Sequence, residues 1–408
     1  MRRALYAVIP LFIFAMAATV LAATQEQRLG AHFDVRANAL PAPYATHSAS
    51  NAPERITRPA GARLQVPAGF VASIFADGLE DARWLAVAVN GDVFLAEPDM
   101  GKVTLLRDAN GDGKAEFRAT FADNFDRPHG LAFHDSALYV ADIRAVWRMP
   151  YVEGTTKGTS RTALTKPGAF GGSEDHWTRD IAFDAKGRLF IAIGSSANVT
   201  EDAPPRATVQ MFENRHMRTF ASGMRNPVGI AFYPGTNNLF VTVNERDGLG
   251  DGLVPDYLTH VVDGGFYGWP YAYTGKHPDP EFGKRRPDLV AKSIVPDLLF
   301  QAHSAPLGLV FYDGNQFPAS YRGDAFVALH GSWNAGVPTG YKIVSVPFKN
   351  GMPSGGYDNF AVGFWAQGEN NARVWGRPVG LAIAKDGSLL VADDTGNVVW
   401  RIAYTGKR

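Results

Sequence analysis

Residues 81–97 read DARWLAVAVNGDVFLAE, which is a polar start, an apolar strand, a tight turn and a second apolar strand with an acidic end. Asn90-Gly91 is a typical hairpin turn, because both residue types accept the positive φ angles that such turns require. The pattern recurs five more times along the chain. The further copies are RPHGLAFHDSALYVAD (127–142), HWTRDIAFDAKGRLFIAIG (176–194), RNPVGIAFYPGTNNLFVTVNE (225–245), APLGLVFYDGNQFPASYRGDAFVALHG (305–331) and GRPVGLAIAKDGSLLVADD (376–394).

Repeated strand–turn–strand units with further strand pairs between them are typical of β-propellers, in which each repeat supplies one four-stranded blade. The composition agrees, because 43 glycines, 26 prolines and 12% aromatic residues favour many short strands joined by tight turns. The six copies therefore predict an all-β fold, a six-bladed β-propeller. The alternative is a β-sandwich whose strands are similar by chance, and six copies with the same start and end disfavour it.

The N-terminus has the layout of a secretory signal. Arg2 and Arg3 precede an apolar stretch at 5–18, and the small-residue site VLA follows at 20–22. The apolar stretch is shorter than the roughly 20 residues of a membrane-spanning helix. Residues 1–22 are therefore predicted to be a signal peptide, not an uncleaved anchor, and no stable membrane insertion is expected after cleavage.

The rest of the chain is expected to have two parts. Residues 23–66 are rich in Ala, Pro, Asn and Arg without clean periodicity, and they predict an extended N-terminal lead-in. Residues 67–408 are predicted to form the propeller. The chain contains no cysteine, so disulfides and covalently attached haem are excluded. Export without disulfides suits a bacterial periplasm.

The charge balance argues against a nucleic-acid partner, because 40 Lys and Arg residues offset 40 Asp and Glu residues. The local distribution is less even. Arginines and histidines recur where the first strand of a copy begins, and these starts are expected to meet at one mouth of the propeller channel. Clustered like charges repel unless an anion offsets them, so the repeats predict an anionic ligand in the channel.

Several strings between and within the copies carry a family resemblance. RNPVGIAF begins at Arg225, VNERDGLGDG at Val243 and GGFYGWPY at Gly264, and EDHWTRDIAF, HGSWN and WGRPVGLAIA extend the match. Together they resemble the glucose/sorbosone dehydrogenase family, soluble β-propeller enzymes that use pyrroloquinoline quinone and calcium. The NERDGLGD and HGSWN strings are closer to its sorbosone and pyranose dehydrogenase branch. The resemblance runs from about residue 66 to residue 404.

The resemblance implies a catalytic histidine at His176. It would accept the proton of a sugar hydroxyl while hydride passes to the quinone, a task that suits an imidazole because its ordinary pKa lies near working pH. Asp175 or Asp180 would orient it. The resemblance also places Arg225 and Asn226 beside the reactive carbonyl of the cofactor, where Arg225 would stabilise developing negative charge.

Further cofactor contacts are implied in the same way. Asp247 and Gly248 match the positions that supply backbone carbonyls to calcium, an ion that takes oxygen ligands. Arg83 and Arg377 match channel positions where cofactor carboxylates need partners, since guanidinium groups pair with them in a bidentate manner. His330, in HGSWN, is implied as a cofactor or substrate contact.

These expectations combine into a periplasmic or secreted sugar dehydrogenase that depends on pyrroloquinoline quinone. Its partners would be a small sugar substrate and a separate electron acceptor, either a cytochrome or the quinone pool. One alternative is a calcium-dependent propeller hydrolase, such as a lactonase. The other is a non-catalytic propeller that binds glycans or proteins, favoured if tryptophans block the mouth: Trp84, Trp177 or Trp333.

The sequence departs from the glucose-oxidising branch of the family at several cofactor-contact positions. Val228, Leu307 and Val379 occupy positions where that branch has polar cofactor contacts. The lysine that the same branch has near the end of the fifth copy is absent.

Residues 108–116, DANGDGKAE, carry the alternating oxygen ligands of a calcium loop. An Asx-rich hairpin turn explains the same residues equally well.

Overall fold

The structure is a computed structural model that describes residues 25–172 and 175–406. It confirms the predicted all-β class; the predicted signal peptide, 1–22, lies outside the described residues. The strands are β1 (His32–Phe33), β2 (Glu54–Arg55), β3 (Phe70–Ala76), β4 (Trp84–Val87), β5 (Val93–Glu97), β6 (Lys102–Arg107), β7 (Phe117–Ala122), β8 (Leu131–His134), β9 (Ala137–Ala141), β10 (Val146–Pro150), β11 (Thr162–Ala163), β12 (Arg179–Phe183), β13 (Leu189–Ile193), β14 (Thr208–Glu213), β15 (His216–Ser222), β16 (Asn226–Phe232), β17 (Leu239–Asn244), β18 (Pro255–His260), β19 (Ala272–Tyr273), β20 (His277–Pro278), β21 (Leu298–Ala302), β22 (Pro306–Phe311), β23 (Ala325–Leu329), β24 (Lys342–Val346), β25 (Phe348–Lys349), β26 (Met352–Pro353), β27 (Tyr357–Ala361), β28 (Trp365–Gln367), β29 (Arg373–Val374), β30 (Pro378–Ile383), β31 (Leu389–Asp393) and β32 (Val398–Tyr404).

The main strands form six antiparallel sheets of four or five strands. Each of the six sequence copies supplies the first two strands of one sheet, as the hairpin pattern predicts. The last sheet joins both ends of the chain, because β3 pairs with β32 in the register Phe70↔Tyr404. The sheets are β4–β7; β8–β11; β12–β15; β16–β18 with β21; β22–β24 with β27 and β1; and β30–β32 with β3.

The first strands of neighbouring sheets contact one another in a ring that runs β4, β8, β12, β16, β22, β30 and back to β4. Glycines in the repeated motif make this approach possible. A Cβ at Gly229 would lie 2.2 Å from the carbonyl oxygen of Leu307, and one at Gly308 would lie 2.2 Å from that of Val379. Only glycine lets two backbones come this close, so the motif encodes the contact between sheets.

The second strand of each copy lies deep in the protein. Every residue of β5, β9, β13 and β23 is buried, since the faces of each sheet pack against its neighbours. Aromatic rings fill much of this space, for example Phe94 against Phe121 at 4.8 Å between ring centroids. With no cysteine in the chain, burial of apolar surface has to supply the stability.

The N-terminal segment is held against the sheets. β1 pairs with β27, β2 runs parallel to β29, and Gln65 bridges to Val362. Glu26 is 2% exposed, and its carboxylate lies 2.6 Å from the ammonium of Lys342 on β24, which is fully buried.

One short helix, α1 (Pro287–Lys292), lies between β20 and β21. Among residues 25–172 and 175–406, no helix is long and apolar enough to cross a membrane.

Candidate active site

A cavity of about 490 Å³ opens where the strands of five sheets begin or end. Its volume lies within the usual range for a small-molecule site. The described lining residues include seven of the eight site residues predicted from the sequence, all but Gly248. These seven are Arg83, His176, Arg225, Asn226, Asp247, His330 and Arg377.

His176 lies just before β12 and is positioned by Ser195. Its Nδ1 is 2.9 Å from the hydroxyl oxygen and 3.1 Å from the carbonyl oxygen of Ser195. The hydroxyl donates its own hydrogen to the carbonyl of Ala197, so both atoms facing Nδ1 are acceptors. Nδ1 therefore carries the proton, and Nε2 keeps the lone pair that a general base needs.

The environment of His176 keeps the ring neutral. Burial, together with the positive charge of Arg225, lowers the pKa of His176 to about 3. Gly194, after β13, allows the close packing, because a Cβ there would lie 2.5 Å from Cβ of His176 and 2.6 Å from Oδ1 of Asn226. The neutral tautomer is therefore built into the fold, and the expectation of an ordinary pKa near working pH does not hold for this buried ring.

A second network surrounds Arg225. Its Nη2 donates to Oδ2 of Asp247 at 3.1 Å and to Oδ1 of Asn198 at 2.9 Å. The other carboxylate oxygen of Asp247 accepts from Asn334 at 2.5 Å and from Nδ1 of His303 at 3.2 Å. These donors lower the pKa of Asp247 despite its burial. Asp247 thus orients Arg225 through its carboxylate.

A third network holds the other two arginines. Arg83 pairs with Asp394 at 2.5 Å, and Nε2 of His330 lies 2.9 Å from the same carboxylate. Arg377 donates to the carbonyls of His330 and Gly331. Burial lowers the pKa of His330 to about 4, and the charge of Arg377 adds to the effect.

These ion pairs correct the charge argument made from the sequence. The arginines were expected to require a bound anion, but the carboxylates of Asp247 and Asp394 already offset Arg225 and Arg83. The sequence contained both carboxylates, Asp247 as a predicted site residue and Asp394 at the end of the sixth copy, but no repeat pattern shows which arginine each one pairs with. Four buried atoms of the cavity lining nevertheless find no hydrogen-bond partner among the residues that the structure describes: Nε of Arg83, Oγ1 of Thr178, Oδ1 of Asn226 and Oε1 of Glu245.

The carbonyl of Asp247, implied as a calcium ligand, accepts from Asn198 Nδ2 at 3.1 Å and from Arg246 Nε at 3.2 Å. A guanidinium on this oxygen disfavours a divalent cation there, so the donor set does not fit calcium in this arrangement.

The 108–116 loop was the second candidate calcium site. Carboxylate oxygens of Asp108, Asp112 and Glu116 lie within 4.8 Å of one another. Their oxygens accept backbone N–H groups of the loop, including that of Gly111 at 2.7 Å, as in an Asx-rich turn.

The structure also places the three apolar residues and the three tryptophans that the sequence analysis singled out. Val228, Leu307 and Val379 are all buried in one core cluster, and the first two also border the cavity. Trp84 is buried, and Trp177 and Trp333 line the cavity without filling it. The guanidinium carbon of Arg127 lies 3.9 Å from the ring centroid of Trp177. The cavity is therefore open, which removes the condition that would favour a non-catalytic propeller.

Sequence reasoning missed several residues of the site. Asn198, His303 and Asn334 lie in loops outside the repeated motif, whereas Asp394 ends the sixth copy but was not among the predicted site residues. Glu245 and Asp256 also line the cavity, and burial raises their pKa values to about 7 and about 6. Glu245 was within reach of the sequence, because it is the acidic end of the fourth copy and stands in the string NERDGLGD.

Asp180 does not orient His176 in this structure. Its carboxylate accepts the N–H of Ile230 at 2.9 Å, and burial raises its pKa from 3.8 to about 8. The folded state therefore holds a proton that the unfolded chain releases above about pH 4, so the free energy of unfolding falls as pH rises from 4 to 8.

We expect Asp180→Asn to remove this pH dependence, because a neutral amide cannot ionise and still accepts the Ile230 N–H. In urea unfolding between pH 5 and 8, the variant should gain stability relative to the native protein by at most about 1.4 kcal/mol per pH unit. Parallel pH curves for the two proteins would contradict this assignment.

The structure is thus an all-β protein with a ring of antiparallel sheets around a polar cavity. The cavity wall carries a neutral histidine, two ion-paired arginines and a third arginine that bonds backbone carbonyls. The chain belongs to the TrAA12-like family, whose profile matches residues 64–254 and 287–405. The glucose/sorbosone dehydrogenase profile matches residues 201–332, which confirms the resemblance drawn from the sequence.

Individual relatives agree with this family. The chain is 28% identical to an uncharacterised protein of Borreliella burgdorferi, with 84% of this chain and 91% of the relative covered. It is 26% identical to a pyrroloquinoline quinone-dependent pyranose dehydrogenase of Coprinopsis cinerea, with 83% of this chain and 54% of that protein covered. The chain thus spans about half the length of that fungal relative.

The solved holo form of the pyrroloquinoline quinone domain of pyranose dehydrogenase from Coprinopsis cinerea has a similar fold, with a TM-score of 0.71 and 21% identity. The match covers 86% of this chain and 99% of that domain.

Proposed function

We propose that the chain is a pyrroloquinoline quinone-dependent dehydrogenase of a pyranose or a related sugar. The observation that carries this proposal is the neutral His176, whose unprotonated Nε2 belongs to a ring that lines the same cavity as Arg225. A base and a fixed positive charge in one cavity are what removal of a hydroxyl proton and stabilisation of negative charge require. Family membership and the fungal relative support the same reaction class.

The fold proposal is a six-bladed β-propeller. The six antiparallel sheets would be its blades, β3 and β32 would close the last blade, and the ring of first strands would line the channel. The lead-in 23–66 and the propeller 67–408 are the proposed parts of the mature chain.

The cavity fits a flat, multiply anionic cofactor. Nε of Arg83 and Oδ1 of Asn226 are among the buried cavity atoms without partners in the described residues, which leaves at least one donor and one acceptor for a ligand. Arg83 and Arg377 would hold carboxylates, His330 would keep Asp394 in place beside Arg83, and Leu307 offers apolar surface to a ring system. When bound, pyrroloquinoline quinone supplies the hydride acceptor.

The chain's own residues divide the remaining work. His176 accepts the hydroxyl proton at Nε2, while Ser195 holds the proton on Nδ1. Arg225 places its charge beside the reacting groups, and Asp247 and Asn198 keep the guanidinium in position. Because these groups are buried before the substrate arrives, little reorganisation is needed during the reaction.

Calcium is part of the proposal through the family resemblance. Binding at the carbonyls of Asp247 and Gly248 would require Asn198 and Arg246 to withdraw from the Asp247 oxygen. The proton chemistry of His176 and Arg225 does not depend on that step. Titration of chelator-treated protein with calcium, monitored by calorimetry, shows whether this binding occurs.

The hydrolase alternative has less support. Metal-dependent propeller hydrolases need side-chain ligands gathered in the channel. Among the described residues, the cluster of three acidic groups that could hold a metal lies in the 108–116 loop, outside the cavity lining.

Location and partners complete the proposal. The predicted signal peptide supports export to the periplasm or the medium, a sugar would be the substrate, and electrons would leave to a separate cytochrome or quinone acceptor. The balanced charge of the chain gives no support to a nucleic-acid partner.

The function is tested by titrating the protein with pyrroloquinoline quinone, with and without calcium, and then measuring dye reduction with a panel of aldoses and pyranoses. We expect a change in cofactor absorbance and sugar-dependent dye reduction. Absence of both, with cofactor, calcium and all sugars present, overturns the proposal.

Arg83→Gln is expected to weaken binding of pyrroloquinoline quinone by about 10- to 100-fold, because a charged hydrogen bond contributes about 1.5–3 kcal/mol. The absorbance titration measures this change. Arg218→Gln is the matched control, since Arg218 pairs with Asp263 on the exposed surface. Equal affinity in the Arg83 variant and the control would remove Arg83 from the cofactor site.

A further inference from the structure

The rim of the cavity carries an exposed tryptophan. Trp333 lines the cavity with 53% of its surface exposed, although Ser332 is fully buried and Asn334 is 6% exposed. The indole therefore projects from a loop whose neighbouring residues are packed inside the protein.

The loop around Trp333 is firmly held. Ser332 N–H donates to the carbonyl of Thr339 at 2.9 Å, and the Tyr341 hydroxyl donates to the carbonyl of Ser332. Asn334 donates to Asp247, which ties the loop to the network around Arg225. The loop therefore holds the backbone of Trp333 at the rim, since the residues on both sides of it are anchored.

The N-terminal segment supports this loop from outside. Asn51 donates its backbone N–H to the carbonyl of Trp333 at 2.8 Å. Its side-chain amide donates to the carbonyls of Ala335 at 2.9 Å and Asn370 at 2.6 Å, and its Oδ1 accepts from Asn371 at 2.9 Å. One residue of the lead-in therefore joins the rim loop to a second loop.

We propose that Trp333 is the surface against which the sugar ring packs during the reaction, and that Asn51 is the positioning residue that holds its loop. This inference rests on the proposed function. A pyranose has hydroxyls at its edge and an apolar face of C–H groups. The indole offers an apolar plane at the mouth, while His176 and Arg225 offer polar partners on the same cavity.

Because Trp333 and His176 would contact different parts of the substrate, loss of each should change a different kinetic constant. Trp333 contacts a part of the substrate that does not change in the reaction, so its contribution is the same in the ground state and the transition state. Loss of such uniform binding raises KM and leaves kcat unchanged. Loss of His176 should instead lower kcat, so kinetics can distinguish the two residues.

The experiment compares Trp333→Ala and Trp333→Phe with the native protein, using the best sugar of the panel. We expect Trp333→Ala to raise KM about tenfold with kcat within about twofold, and Trp333→Phe to stay within about threefold of native KM, because it keeps a flat ring. Affinity for pyrroloquinoline quinone should not change. An unaltered KM in Trp333→Ala overturns the proposal.

A readout without turnover separates this inference from the proposed function. In saturation-transfer NMR with cofactor-loaded protein, the sugar's ring C–H protons should be saturated in the native protein and lose that signal in Trp333→Ala. Sugar binding that depends on Trp333 but gives no dye reduction contradicts only the proposed dehydrogenase. No sugar binding at all overturns the packing role of Trp333.

Asn51→Ala tests the positioning role. We expect a rise in KM about half as large, on a logarithmic scale, as that of Trp333→Ala, and no further rise when both substitutions are combined. Asn238→Ala, at an exposed turn, is the matched control. Additive effects of the two substitutions on KM would show that Asn51 does not act through the loop.

Discussion

Replacement of His176 by alanine is expected to lower kcat by about 10²- to 10⁴-fold, because the substitution removes the general base. The structure gives the reason at the level of atoms. Two acceptors of Ser195 hold the proton on Nδ1, so Nε2 is the one ring nitrogen able to accept a proton from a substrate. Affinity for pyrroloquinoline quinone should stay within about threefold, since Arg83, Arg377 and His330 are unchanged.

Dye-reduction kinetics and the cofactor titration measure the two parts of this prediction. His216→Ala is the matched control, because His216 begins β15 and is exposed. A His176→Ala variant that binds the cofactor and keeps full kcat would remove His176 as the base, and the rest of the proposed function would stand. Loss of cofactor binding in that variant would instead assign the residue a binding role.

The largest expected effect on stability comes from Glu26. We expect Glu26→Ala to lower the free energy of unfolding by about 3–5 kcal/mol, because it leaves the ammonium of Lys342 buried without its counter-charge. Lys342 has no exposed surface, and Glu26 contacts it through a carboxylate oxygen at 2.6 Å and a backbone carbonyl at 3.1 Å. Burial lowers the pKa of Lys342, and Glu26 opposes that shift.

Chemical denaturation of the mature protein measures this loss. Glu54→Ala is the matched control in the same lead-in, since Glu54 pairs with Arg373 on the surface with about half of its side chain exposed; its cost should be below about 1 kcal/mol. The double variant Glu26→Leu/Lys342→Met should recover most of the loss, as apolar replacements of buried ion pairs do. A cost for Glu26→Ala equal to that of the control would show that Lys342 finds water or another partner.

Much of the site was accessible from the sequence because it sits on the repeated motif. Arg83, Arg225 and Arg377 occupy equivalent positions in three copies, and the structure brings them to one cavity. The pairing that holds these arginines in place was not accessible. Asp394 and Asn198 lie in loops, where no periodicity reports which way a side chain turns, and their partners are more than 20 residues away in the chain. The Asp175-or-Asp180 alternative failed for the same reason, since the partner of His176 is Ser195.

The sequence by itself determined the all-β class, the six strand–turn–strand copies and the family, because each depends on local pattern: alternation, turn residues and glycines that permit close contact between strands. Tertiary structure alone decided the charge state of the site. It paired the arginines with Asp247 and Asp394, fixed the tautomer of His176 through Ser195, and placed Asn51 of the lead-in behind Trp333. Protonation and pairing depend on burial and on distances of a few ångströms between residues remote in the chain, and these quantities exist only in the folded protein.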